Sequence, residues 1–215
     1  MNLLFLGPPG SGKGTQAVRV AEKFGLIHIS TGDVLRKAVK NGTELGLKAE
    51  SFMKNGNLVP DEILIGVIEE KITSGKFNKG FILDGFPRTI PQAESLKVMF
   101  LKDNINLDKA ILLDVSADEI IKRLSGRWFC PVCNTDYNYP AKIPKVEGFC
   151  DIDKAKLERR HDDEEGVVRN RLEVYKKQTE PIVDFYKSES ILRSVDGKQT
   201  PDTVFNSICE TVMEQ

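Results

Sequence analysis

The stretch with the most evident chemistry is GPPGSGKGT, Gly7–Thr15, which lies between a short apolar run and a helical pattern. Its glycines allow the backbone to curl so that several N–H groups face one anion. Lys13 adds a compact positive charge, and the N-terminus of the following helix adds a partial one. The G-x4-G-K spacing in a strand–loop–helix context therefore predicts a loop that binds the phosphates of a nucleotide.

The residue after Lys13 departs from the usual form of this motif. Gly14 stands where Ser or Thr commonly binds Mg²⁺, and Thr15 comes one position later. An acidic group is then needed elsewhere, and Asp84 ends the apolar run FILD. We expect Asp84 to hold a hydrated Mg²⁺ through water, because this ion retains much of its water shell in proteins.

Three of the four cysteines lie close together in the sequence. Cys130 and Cys133 form C-x2-C, and Asp153 repeats the same spacing after Cys150. Three thiolates and one carboxylate suit tetrahedral zinc, and thiolates favour zinc over calcium or magnesium. Since four protein ligands leave no open position, the pattern predicts one structural zinc ion per chain.

Other interpretations of the cysteines stay open at this point. Asp151 and His161 are alternative fourth ligands, and the thiols could also be reduced and free of metal. The first residues of the chain do not resemble a secretion signal, which favours metal binding over a disulfide framework. Cys209 lies on the last predicted helix and is expected to be a small core residue.

Short continuous apolar runs predict buried strands of a parallel sheet, whose two faces are both covered by helices. The runs are Asn2–Leu6, Ile27–Ile29, Phe81–Asp84, Ala110–Val115 and Ile191–Val195. Helical patterns follow at Lys13–Phe24, Pro60–Thr73, Pro91–Lys102, Ala117–Leu124 and Asp202–Met213. This alternation predicts an α/β fold.

Two segments interrupt the alternation. Ser30–Pro60 holds two helical patterns without a strand, which predicts a small helical insertion. Gly126–Asp163 has little periodicity, and so long a loop needs its own source of order, which the cysteines would supply. The pattern that follows predicts one long helix with a kink or break at Pro181.

Composition narrows the possible functions. The 215 residues include 31 basic and 32 acidic ones, which gives a net charge of −1. This balance argues against general binding to nucleic acid or to an anionic membrane, which needs a basic excess. No apolar run approaches the roughly 20 residues that cross a bilayer. We therefore expect a cytoplasmic protein with neither a nucleic-acid nor a membrane partner.

Five motifs together resemble the adenylate kinase family, in the long form with a zinc-binding lid. They are GPPGSGKGTQA, STGDVLR, ILDGFPRTIPQAE, GRWFCPVC with PKVEGFC, and RRHDDEEGVVRNRL. The resemblance implies a P-loop NTPase-type fold, with helices on both faces of a five-stranded parallel sheet. It implies three domains: a core of residues 1–29, 60–125 and 164–215, a helical AMP-binding insertion at 30–59, and a lid at 126–163.

The same resemblance implies a monomeric enzyme that transfers a phosphoryl group from MgATP to AMP, giving two ADP. Such transfer depends on positioning and charge stabilisation, for which arginine is well suited. The resemblance assigns catalytic roles to Lys13, Arg88, Arg123, Arg160 and Arg171. It places ATP at Gly10, Ser11, Gly12, Lys13, Gly14, Thr15, Arg123, Arg127, Asp136, Tyr137 and Gln199. It places AMP at Thr31, Gly32, Arg36, Asn57, Leu58, Val59, Gly85, Phe86, Pro87, Arg88, Gln92, Arg160 and Arg171.

Two other functions compete with this interpretation. A kinase that acts on UMP or CMP would share most of the motifs, since the choice of base depends on few contacts. A non-enzymatic zinc module that binds nucleic acid would need a basic surface. The segment Cys130–Asp153 instead carries four carboxylates, which oppose such a surface.

Overall fold

The computed structural model describes residues 1–73, 79–133, 135–139 and 141–214. Positions 74–78 and 215 of the predicted core, and positions 134 and 140 of the predicted lid, lie outside the described residues. None of the described helices is both long enough and apolar enough to cross a membrane.

A five-stranded parallel sheet lies at the centre of the molecule. The described strands are β1 (Asn2–Leu6), β2 (Ile27–Ser30), β3 (Phe81–Asp84), β4 (Lys109–Asp114), β5 (Arg127–Phe129), β6 (Asp136–Asn138) and β7 (Leu192–Asp196). The central sheet has the order β2-β3-β1-β4-β7, while β5 and β6 pair separately. The five apolar runs therefore form the predicted parallel sheet, with boundaries shifted by no more than one residue.

Helices cover both faces of this sheet, as predicted. They are α1 (Lys13–Phe24), α2 (Thr31–Lys40), α3 (Glu44–Lys54), α4 (Asp61–Thr73), α5 (Ile90–Lys102), α6 (Ala117–Ser125), α7 (Glu165–Val174), α8 (Pro181–Ser188) and α9 (Pro201–Met213). Leu3 and Phe5 of β1 share one apolar cluster with α1 and α9. Leu4 and Leu6 point to the opposite face and pack with α4, α5 and α8.

The sheet brings two predicted site elements together. β1 and β3 are adjacent and parallel, with Phe5 opposite Asp84. The glycine-rich loop after β1 and the carboxylate at the end of β3 therefore meet at the carboxyl edge of the sheet. Ligands of open α/β sheets bind at this edge.

The predicted helical insertion is confirmed between β2 and α4. Its first helix, α2, begins after Ser30, whose side chain accepts a hydrogen bond from the Asp33 N–H at 3.3 Å. Thr43 begins α3 in the same way, accepting from the Gly46 N–H at 3.2 Å. Both caps satisfy backbone donors that the first helical turn leaves unpaired.

The break predicted at Pro181 is also confirmed. Residues Tyr175–Thr179 form a π turn between α7 and α8, and α8 begins at Pro181. The N–H of Glu180 bonds to the carbonyl of Tyr175 at 2.8 Å, five residues back. The widened turn accommodates Pro181, which has no N–H to continue the regular pattern.

The cysteine-rich segment contains the antiparallel pair β5–β6, in which Trp128 lies opposite Tyr137. These strands were not predicted from the sequence, because three residues are too few to show a periodic pattern. Among the described residues of the segment, the buried hydrophobic cluster contains Cys130, Tyr137, Cys150 and Leu157. Half of that core is cysteine, so the segment has little apolar material with which to hold itself together.

Candidate functional site

The glycine-rich loop ends at the N-terminus of α1 with an open space above it. Gly12 has a φ of 96° at the N-cap position of α1, a backbone conformation that residues other than glycine rarely adopt. A Cβ added at Gly12 would meet no atom within 4 Å. The loop therefore leaves room for an anion where the unpaired N–H groups of the helix begin.

Lys13 is folded back over this loop. Its Nζ donates to the carbonyls of Gly7 and Pro8 at 2.6 and 2.8 Å. Removal from water lowers the pKa of Lys13 to about 8, and the nearby charge of Asp84 offsets part of that effect. A phosphate could take over these hydrogen bonds and supply the negative charge that the amine lacks.

Asp84 lies beside the loop, as predicted for an acidic group near the phosphates. Its side chain is 11% exposed, and Oδ2 lies 3.4 Å from His28 Nε2. Burial would raise the pKa of Asp84, but the hydrogen bond from His28 and the charge of Lys13 hold that pKa below its ordinary value. A Cβ at Gly14 would lie 3.4 Å from Asp84 Oδ2. Asp84 thus faces the position where this motif commonly has a hydroxyl, and a buried carboxylate there fits a hydrated magnesium ion.

Six arginines from different parts of the chain meet around the mouth of the loop: Arg36, Arg88, Arg123, Arg127, Arg160 and Arg171. Arg88, Arg127 and Arg171 lie close enough to Lys13 for their charges to affect its pKa. Arg160 is close enough to Arg36 and Arg127 for the same effect. Arg123 donates to Ser11 O at 3.4 Å and to Gly197 O at 2.8 Å. So many cations around one space form a site suited to a polyphosphate.

Two carboxylates that sequence analysis did not assign hold two of these arginines. Asp163 accepts hydrogen bonds from both Nε and Nη2 of Arg127, and the bond from Nε is 2.6 Å long. Asp162 receives Nη1 of Arg171 at 2.9 Å. Burial would lower the pKa of Arg127, but Asp163 outweighs it and raises the pKa. The sequence carries no local signal for the pairing of Asp163 with Arg127, because the two residues lie 36 positions apart.

Arg160 and the two predicted lid contacts to ATP lie on the lid side of the site. Arg160 donates to Asp136 Oδ1 at 2.7 Å, while its buried Nε has no partner. Burial lowers the pKa of Arg160 to about 10. Tyr137 is 2% exposed, and its hydroxyl accepts from the Asp151 N–H at 2.7 Å. The Tyr137 side chain therefore belongs to the core of the lid, and only its backbone is left for a nucleotide.

The loop after β3 positions Arg88. Gly85 has a φ of 81°, and a Cβ there would lie 2.9 Å from Thr31 Oγ1 and 3.0 Å from Arg88 Nη2. The Gly85 carbonyl accepts from Arg88 Nε at 2.7 Å and from Thr31 Oγ1 at 2.8 Å. Phe86 and Pro87 are buried, so their side chains anchor the loop rather than face a ligand.

The remaining residues of the predicted nucleotide sites lie near these arginines or at the rim. Arg36 donates to Asp33 at 2.5 Å, and a Cβ at Gly32 would lie 3.1 Å from Arg36 Nη2. Asn57 accepts from Asn170 of α7 at 3.0 Å. Leu58 is half-buried, Val59 belongs to the core, and Thr15 is exposed next to the loop. Gln199 is exposed and bonds to Asp196 at 2.9 Å.

The helical insertion contacts both the cysteine-rich segment and α7. Lys40 Nζ, at the end of α2, donates to the carbonyl of Pro131 at 3.1 Å. On the other side, Asn170 donates to the carbonyl of Asn55 at 2.7 Å. Both contacts keep the insertion close to the elements that carry Arg160 and Arg171.

The four predicted zinc ligands converge. One donor atom from each of Cys130, Cys133, Cys150 and Asp153 lies within 4.8 Å of the others. Cys133 Sγ is 3.5 Å from Cys150 Sγ, and Cys130 Sγ is 3.2 Å from the Asp153 oxygens. Tetrahedral zinc with bonds of about 2.3 Å to sulfur places its ligands about 3.7 Å apart. The spacing and the donor set therefore fit this ion.

The surroundings of the cluster also fit a metal. The N–H groups of Val132 and Ile152 lie 3.4 Å from Cys130 Sγ and Cys150 Sγ, in the same position two residues after each cysteine. The Ala155 N–H, together with the thiols, lowers the pKa of Asp153 to about 2. These donors stabilise anionic ligands.

The alternative fourth ligands lie outside the cluster. Asp151 Oδ1 accepts instead from the Lys145 N–H at 2.8 Å. His161 is 83% exposed in side chain and pairs with Glu164 at 2.9 Å. Asp153 is therefore the carboxylate that the fold brings to the thiols.

The family model and the related proteins that match this chain all carry the same description. The family model described as adenylate kinase matches residues 5–191. An adenylate kinase of Thermodesulfovibrio yellowstonii is 50% identical over 209 residues, covering 97% of each chain. One of Clostridium novyi is 47% identical over 208 residues, covering 97% of this chain and 96% of its own. One of Staphylococcus epidermidis is 45% identical over 210 residues and 98% of each chain.

Proposed function

The chain belongs to the adenylate kinase family, and we propose that it catalyses reversible phosphoryl transfer from MgATP to AMP, giving two ADP. The observation that carries this proposal is the meeting of six arginines and Lys13 at the mouth of the glycine-rich loop. Because AMP already presents an anionic oxygen to attack, the reaction needs positioning and charge stabilisation rather than a general base.

On the ATP side, the loop from Gly10 to Thr15 binds the phosphates through backbone N–H groups. Lys13 binds the oxygens of the phosphoryl group that is transferred. Arg123, held by Glu119 at 2.9 Å, binds the phosphates from the core side, and Arg127, held by Asp163, binds them from the lid side. Asp136, Tyr137 and Gln199 border the nucleotide, the last two through their backbone.

On the AMP side, Arg36 and Arg88 bind the single phosphate. Thr31, Gly32, Gly85 and Gln92 surround the base, while Asn57, Leu58 and Val59 border it through backbone groups. Phe86 and Pro87 anchor the loop that carries Arg88. Arg160 and Arg171 face both nucleotides and stabilise the charge that develops on the transferring group.

Two metal ions complete the proposal. Zinc, held by Cys130, Cys133, Cys150 and Asp153, replaces the apolar core that the lid lacks. Magnesium, when bound with ATP, neutralises part of the phosphate charge, and Asp84 holds its water shell. The chain's own residues orient both nucleotides and exclude water, which would otherwise intercept the phosphoryl group.

The domain organisation follows from these roles. Residues 1–29, 60–125 and 164–215 form the core, residues 30–59 bind AMP, and residues 126–163 form the lid. Adenylate kinases close a lid over the site, and we propose the same motion for residues 126–163. We further propose that the protein acts as a monomer in the cytoplasm, with no nucleic-acid or membrane partner.

The direct test measures ADP formation from ATP with AMP, UMP and CMP as separate acceptors. We expect AMP to be the preferred acceptor by a wide margin in kcat/KM. The variant Arg88→Ala, with the surface variant Arg193→Ala as control, should lose AMP phosphorylation while the control retains it. Efficient phosphorylation of UMP with weak activity on AMP would contradict the proposal.

A further inference from the structure

A hydrogen-bond network joins the start of α4 to the loop that carries Arg88. Asp61 Oδ1 accepts from Gln92 Nε2 at 2.7 Å, and its Oδ2 accepts from Thr89 Oγ1 at 2.8 Å. Gln92 Oε1 accepts from the Arg88 N–H at 2.7 Å. Gln92 is fully buried, so these protein partners, and not water, set the orientation of its amide.

The two partners of Gln92 permit only one orientation of the amide. The carboxylate of Asp61 can only accept a hydrogen bond, and the backbone N–H of Arg88 can only donate one. A rotated amide would place acceptor against acceptor and donor against donor, with two buried bonds lost. Nε2 and Oε1 therefore have fixed positions even without a nucleotide.

The fixed orientation has a consequence for base recognition. After these two bonds, Nε2 keeps one further N–H and Oε1 keeps one further lone pair. The edge of adenine offers an acceptor at N1 and an amino donor at position 6, which complement that pair. Hypoxanthine offers the reverse, a donor at N1 and a carbonyl acceptor at position 6. A site built to pair such groups rejects the reversed edge.

We propose that Asp61 is a positioning residue for base specificity, because it fixes the amide of Gln92 in the orientation that complements adenine. The inference rests on the proposed AMP site, in which Gln92 lies next to the base. Asp61 has no contact with the nucleotide in this proposal and acts only through Gln92. Its second bond, to the N-cap residue Thr89 of α5, holds the carboxylate in place.

The test compares kcat/KM for AMP and for IMP, with ATP as donor, in the whole protein. We expect Asp61→Ala to lower the AMP-to-IMP ratio about tenfold, as loss of one charge-assisted bond would. The double variant with Gln92→Ala should fall no lower than Gln92→Ala alone, because Asp61 acts through that residue. Glu62→Ala, which removes an exposed charge from the same turn of α4, should leave the ratio unchanged.

The outcomes separate this inference from the proposed function. An unchanged ratio in Asp61→Ala, or independent effects that add in the double variant, would overturn the role of Asp61 alone. A wild-type chain that cannot phosphorylate AMP would overturn both. Should Asp61→Ala fail to fold, Asp61→Asn keeps the shape but loses the charge, and we expect a fall of about threefold. An unchanged ratio there would equally refute the inference.

Discussion

Lys13 makes nucleotide binding depend on pH in a way that can be calculated. Removal from water lowers the pKa of Lys13 from 10.5 to about 8. A bound triphosphate would surround the amine with negative charge and return its pKa to an ordinary value of about 10.5. Between pH 8 and 10.5 the complex therefore holds a proton that the free protein has lost.

The size of the effect follows from these two pKa values. At pH 9 the amine is about 10% protonated in the free protein and about 97% protonated in the complex. Binding of each ATP should therefore be accompanied by the uptake of about 0.9 proton from solvent. At pH 7 the uptake should be about 0.1 proton. Since the complex binds more protons, ATP affinity is highest below pH 8 and falls about tenfold per pH unit up to about pH 10.5.

Calorimetry in two buffers of different ionisation enthalpy measures this uptake directly. ATP is titrated at pH 9 without AMP, so that no turnover occurs and the terminal phosphate of ATP, already fully ionised at that pH, contributes no proton of its own. Lys13→Met should bind ATP more weakly and show no uptake at pH 9. Lys23→Met, which removes an exposed lysine from the same helix, should behave as wild type. Uptake near zero in the wild type at pH 9, or equal uptake in Lys13→Met, would refute the reasoning.

Three further predictions concern the lid and the arginines. Cys150→Ser should lose the single zinc ion and lower Tm by roughly 5–10 °C, whereas Cys209→Ser should keep the metal. Metal analysis and calorimetry check this, and full loss of activity in folded, metal-free protein would show that the zinc is not merely structural. Arg88→Lys should raise the KM for AMP about tenfold or more and leave the KM for ATP near wild type, because lysine lacks the planar pair of donors; steady-state kinetics with equal changes in both KM values would argue against it. Asp163→Asn should destabilise the fold by about 3 kcal/mol, because Arg127 loses a buried partner, whereas the exposed Asp202→Asn should cost under about 1 kcal/mol; chemical denaturation distinguishes them, and similar values for the two would contradict the role of Asp163.

Much of the fold was predictable because the signals are local. Each strand of the central sheet is a continuous apolar run, since both of its faces are buried, and α1, α5, α6 and α9 each follow one of these strands. The pair β5–β6 escaped prediction because its order comes from contacts with the cysteine cluster and not from its own pattern. The π turn before Pro181 was equally hidden, although the break itself was visible.

The residues of the candidate site also fall into a group that was predictable from the sequence and a group that was not. The glycine loop and the zinc ligands have characteristic spacings, and the arginines were assigned by resemblance to a family. The partners that orient them were not visible: Asp163 for Arg127 lies 36 residues away, and Asp61 for Gln92 lies 31 residues away. An aspartate that holds an arginine has the same sequence appearance as one on the surface.

The sequence by itself determined the phosphate-binding loop, the cysteine pattern and the order of the central strands and their helices, because each depends on neighbouring residues. Only the tertiary structure decided which carboxylate joins the thiols, which side chains hold the arginines, and how Gln92 is turned. Those outcomes depend on where separate elements meet. Asp151 and Asp153 differ by two positions, yet the fold directs one toward a backbone N–H of Lys145 and the other toward three cysteines.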